Sequence, residues 1–69
     1  MRYVVTIKDR LLSVLTDREI ETESSSAMQA HKDIYFSELS EDESIIEIRD
    51  ESGHIVYEAE DGFADGEIN

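Results

Sequence analysis

The sequence predicts an α+β fold: an antiparallel sheet of about four strands with one helix packed on one face, in the order β-β-α-β-β. Three observations predict it. Period-two alternation marks residues 2–8, residues 18–23 and both arms of residues 44–61. Residues 27–35 show three- and four-residue spacing instead. With 69 residues and neither Cys nor Pro, the chain has room for one small core, and no disulfide can staple it.

In "RYVVTIK" Tyr3, Val5 and Ile7 fall on one face, and Val4, Thr6 and Lys8 on the other. Asp9 and Arg10 interrupt the pattern. Leu11, Leu12, Val14 and Leu15 read as a continuation past a bulge near Asp9. Thr16-Asp17 is the reversal. The next strand, "REIETE", turns Ile20 and Thr22 inward and sets Glu19, Glu21 and Glu23 on a solvated face.

Ser24, Ser25 and Ser26 supply hydroxyls that can cap the free N–H groups of a first helical turn. The spacing predicts a helix over about residues 25–36, with Ala27, Ala30, His31, Ile34 and Tyr35 as its apolar stripe. Glu41, Asp42 and Glu43 form an acidic loop. A hairpin follows, turning at Asp50-Glu51-Ser52-Gly53. With Arg49 opposite His54, the residues Ile46, Ile48, Ile55 and Tyr57 share the core face. Ile45, Glu47, Arg49, His54, Val56, Glu58 and Glu60 then share the open face. Residues 1–60 are the expected domain, and residues 61–69 an expected mobile acidic tail with Phe63 against the body.

The charge is uneven. The net charge is -12. Residues 1–37 hold nearly balanced acids and bases, whereas residues 38–69 hold a single base, Arg49, among all their acids. Such a balance disfavours direct binding to nucleic acid or to an anionic membrane. The short, polar N-terminal stretch does not read as a signal peptide, and no apolar run spans a bilayer, so a cytoplasmic protein is expected.

Catalytic and metal chemistry find little footing. His31 sits on the helix face, where a packed histidine is the ordinary role, and His54 follows a turn. There is no G-x-S-x-G elbow. Carboxylates abound, but a solvated acidic face gives all of them similar environments, unlike a catalytic pair. The stretch "DGFADGE" places Phe63 where a calcium loop needs an acid. No enzyme activity, cofactor or dedicated metal site is expected.

The constellation that remains is the acidic face. Glu19, Glu21, Glu23, Glu47, Glu58 and Glu60 project from strands, bordered by Glu41, Asp42, Glu43, Asp50 and Glu51. Carboxylates at alternate strand positions stand about 6.5–7 Å apart, and each DNA strand carries a phosphate about every 3.4 Å of rise. A carboxylate ribbon can thus present a loosely comparable field to a basic groove. Ile45 and Val56, apolar and rimmed by acids, add contact character to the same face. The plainer reading is the wet side of a one-sided sheet. The half-to-half asymmetry argues against it.

The segments "RYVVTIKD", "REIETESSSAMQAHKDIY" and "IIEIRDESGHIVYEAE" together resemble, in layout and charge, the small β-β-α-β-β proteins of bacteriophages. Among these are acidic anti-CRISPR proteins that act as DNA mimics. The resemblance spans about residues 2–60. It implies a stoichiometric inhibitor in the cytoplasm of a bacterial host cell. Its partner would be a basic nucleic-acid-binding host protein, for example a subunit of a type I CRISPR surveillance complex. The alternative is a small regulatory or structural interaction protein, such as an antitoxin or a homodimeric accessory protein pairing through Ile45 and Val56.

Overall fold

The computed structural model of the chain describes residues 1–10 and 17–64. The continuation expected at Leu11, Leu12, Val14 and Leu15, the reversal at Thr16 and residues 65–69 lie outside them. The described residues form the predicted α+β layout. The strands are β1 (Arg2–Asp9), β2 (Arg18–Glu23), β3 (Glu43–Arg49), β4 (Ile55–Glu58) and β5 (Gly62–Phe63), with helix α1 (Ala27–Ser37) between β2 and β3. They build one antiparallel sheet in the order β2-β1-β3-β4-β5.

β1 lies between β2 and β3, which explains its composition. Tyr3, Val5 and Ile7 are buried beneath α1. Val5 pairs with Ile20 on one side and Ile48 on the other, and Ile48 pairs in turn with Tyr57. α1 starts where Ser26 accepts a hydrogen bond from the Gln29 N–H at 3.1 Å. It buries Ala27, Ala30 and Ile34. Tyr35, expected in the same stripe, is 52% exposed. It lies one position past Ile34, and so about 100° further round the helix.

Two irregularities in β3 alter the hairpin. Thr6 pairs with Glu47, but the next residue, Ile7, pairs with Ile45. Ile46 is therefore the extra residue of a bulge, and its C=O accepts from the Ala59 N–H at 3.1 Å. A bulge shifts the alternation by one. Ile45 thus enters the core at 5% exposure, and Ile46 is only half-buried. A second shift lies between Ile48 and Arg49. Ile48 pairs with Tyr57 and Arg49 with Ile55, leaving Val56 extra. Val56 packs against the core, and Ile55 is 41% exposed. The expected hairpin faces are corrected at four residues: Ile45 and Val56 exchange roles with Ile46 and Ile55. Arg49 does not face His54. Asp50 closes the loop instead, its N–H donating to the His54 carbonyl and its carboxylate accepting from the N–H groups of Ser52 and His54. Gly53 sits at φ 87°, a conformation that L side chains rarely adopt.

The sheet also extends past residue 60. Asp61 donates to the Glu58 carbonyl, and Gly62 and Phe63 then pair with Glu58 and Tyr57. Phe63 packs against the core cluster. The boundary expected at residue 60 moves to include β5.

The bulge assigns different weights to two adjacent isoleucines. Ile45→Ala should cost about 2–4 kcal/mol, and Ile46→Ala about 1 kcal/mol or less. Urea unfolding of the two variants checks this; equal losses, or the reverse order, would contradict the register.

Candidate functional site: the open sheet face

The helix covers one face, so the side chains that alternate with the core residues stand on the other. On β1 these are Arg2, Val4, Thr6 and Lys8; on β2, Glu19, Glu21 and Glu23; on β3, Glu47 and Arg49; on β4, Glu58. Cross-strand register arranges them in rows. One row runs Glu19–Thr6–Glu47–Glu58 across four strands. Its threonine is buried, flanked by Glu19 on one side and Glu47 on the other, with Glu58 one strand beyond Glu47. Neighbouring strands stand about 4.8 Å apart. Glu47 and Glu58 are therefore close, and Glu19 lies two strands away. The next row runs Glu21–Val4–Arg49–Ile55 and is mixed in character.

Several acids already hold cations. The Arg49 Nε lies 2.6 Å from Glu47 Oε2, and the Met1 amine lies 3.0 Å from Glu23 Oε2. Arg2 is 3.6 Å from Glu21 Oε1. Arg49 is thus joined by Arg2 and the Met1 amine in offsetting the acids, more compensation than the sequence suggests. Among the described residues Glu19, Glu58 and Glu60 have no ion-pair partner. Glu60 is exposed in the turn from β4 to β5. Arg2, Val4, Glu21, Glu23, Asp50 and Glu51 line a shallow trough of about 440 Å³ at one end of the face. There Glu51 accepts from the Arg2 N–H at 2.9 Å.

The acidic loop belongs elsewhere. Glu43 takes two bonds from Arg18, Nε to Oε2 at 3.2 Å and Nη2 to Oε1 at 2.8 Å. Arg18 also donates to the Glu38 carbonyl at the end of α1. Glu43 is therefore a clasp between β2, β3 and α1 rather than part of the open face. The Arg18 hydrogen bond, and then the Ser40 N–H, hold its carboxyl below the usual range. Glu41 lines a groove of about 550 Å³ on the helix side, with Arg10, His31, Tyr35, Leu39 and Tyr57. Arg10 fastens this loop by donating to the backbone carbonyls of Glu41 and Asp42. Of the two apolar contacts expected on the open face, Ile45 is a buried core residue and Val56 is half-buried against the core. Ile55 and Val4 take that place.

Sequence reasoning did not single out the aromatic rim of the helix-side groove. His31 packs edge-on against Tyr57 at 4.9 Å and Phe63 at 5.8 Å. Tyr35 and Phe36 meet at 5.2 Å, and Phe36 is 82% exposed. The signal was two adjacent aromatics in a helix, which cannot both point into one core. Among the described residues no group of three metal-ligating side chains converges, and no helix is long and apolar enough to cross a membrane. The chain matches no family model, no curated protein and no solved structure.

Burial lowers the His31 pKa below the ordinary value of 6.5. The fold therefore prefers the neutral ring. That contribution is present above the unfolded-state value and is lost as pH falls through the lowered folded value. Thermal melts should show the wild type losing midpoint temperature relative to His31→Phe as pH falls from about 7.5 to about 5. Parallel profiles would contradict it.

Proposed function

We propose that this chain is a stoichiometric inhibitor of the anti-CRISPR type. It engages a basic nucleic-acid-binding surface of a host defence complex through the open sheet face and so blocks entry of DNA. The observation that carries this reading is the Glu19–Thr6–Glu47–Glu58 row, in which Glu19 and Glu58 have no ion-pair partner among the described residues. Like charges on neighbouring strands repel, so the row costs stability within the chain. A basic partner relieves that cost on binding. No bond is made or broken in this mechanism. Long-range attraction speeds association and makes it salt-sensitive.

The exposed Tyr35–Phe36 pair favours a second reading, a small regulatory interaction protein that binds through α1. Pairing of open faces through Ile45 and Val56 loses Ile45 to the core, and Val56 packs against that core.

One experiment separates the two readings. The chain is used to capture partners from a bacterial lysate, and captured proteins are challenged with duplex DNA. The inhibitor reading expects DNA to displace them. It expects Glu19→Gln, Glu47→Gln and Glu58→Gln together to weaken capture at least about tenfold while the circular dichroism spectrum is kept. Capture that survives both treatments, but is lost on Tyr35→Ala with Phe36→Ala, would overturn it in favour of the second reading.

A further inference from the structure

The sheet has two edges, and they differ. β5 is two residues long, whereas β2 presents six. Met1 and Ser24 exchange both backbone hydrogen bonds at 3.0 Å. Antiparallel pairs alternate between bonded and non-bonded. Thr22, Ile20 and Arg18 therefore bond to β1, and Glu19, Glu21 and Glu23 direct their N–H and C=O groups outward. Among the described residues nothing bonds to those outward groups.

The same three residues carry their carboxylates on the open face. A strand added to this edge would place one of its side chains opposite each of them. A second copy of β2 is a poor addition. Antiparallel pairing centred on Glu21 would oppose Glu21 to Glu21 and Glu19 to Glu23. A strand with cations at those positions meets attraction at every one. The Arg2–Glu21 and Met1–Glu23 contacts are solvent-exposed and can be exchanged for a stronger partner. On the helix side of β2, Ile20 and Thr22 are half-buried, which suits small or apolar residues at the intervening positions.

We propose that the β2 edge accepts an extended segment of the partner with Lys or Arg at every second position, bonded by its backbone to Glu19, Glu21 and Glu23. This rests on the reading that the open face meets a basic partner, and it names the element of that partner. Backbone bonding supplies affinity, and the alternating charge supplies selection against self-pairing.

The test uses the full chain and a synthetic peptide of about ten residues with arginine alternating with threonine. Its comparators are a peptide of equal composition with the arginines grouped, and the alternating peptide N-methylated at the amides that would face β2. The alternating peptide should bind at least about tenfold more tightly than either comparator. It should also slow amide exchange at Glu19, Glu21 and Glu23. Glu21→Pro removes an outward N–H at an edge, where proline is tolerated, and should weaken binding about three- to tenfold more than Glu21→Gln. Equal binding of all three peptides to the unmodified chain, or protection elsewhere than β2, would overturn the edge site. Loss of DNA-displaceable capture in the triple glutamine variant would still stand in that case, so failure here is distinct from failure of the inhibitor reading.

Discussion

The identity of both sheet faces depends on how β3 fits between its neighbours. β3 lies between β1 and β4 and pairs with each through a displaced register. The bulge at Ile46 turns Ile45 onto Ile7, and the shift at Val56 turns that residue inward and Ile55 outward. Without these shifts, a strict period of two would bury Ile46 and Ile55 and expose Ile45 and Val56. The bulges leave Glu47 and Glu58 paired with each other on the open face. They thus close the core and complete the acidic row at once.

The open face is a balance rather than a uniform field. One end is compensated, with Arg2 near Glu21, the Met1 amine on Glu23 and Arg49 on Glu47. Glu19 and Glu58, at the two ends of the row through Thr6, are not compensated within the described residues. On the other face, Arg18 and Glu43 spend their charges on each other, tying β2 to β3, and Arg18 also holds the end of α1. Paired charges in this small domain therefore organise the fold, and in the proposed function the unpaired ones are what a basic partner would meet.

Much of this was legible in the sequence. Alternation at Tyr3, Val5 and Ile7 marked the central strand, and Glu19, Glu21 and Glu23 marked the open side of β2. The serine run placed the helix start within two residues. The bulges were not legible. "SIIEIR" offers isoleucine at both Ile45 and Ile46, and "HIVYE" offers apolar side chains at both Ile55 and Val56. Local pattern cannot choose between neighbours of equal hydrophobicity; pairing with Ile7 and Arg49 makes the choice. Ion pairs such as Arg18–Glu43 join residues far apart in the chain, so composition alone overstated how bare the acidic face is. β5 was missed because two residues carry no periodicity; pairing with β4 defines it.

An inhibitor of the proposed kind meets its partner with the open face and not with the helix side. Carboxyl-specific labelling of the free and partner-bound chain, read by mass spectrometry, measures this directly. Strong shielding of Glu19, Glu47 and Glu58 is expected on binding, with Glu38 beside the end of α1 labelled as before. Unchanged labelling at Glu19 and Glu58, together with shielding of Glu38, would contradict it.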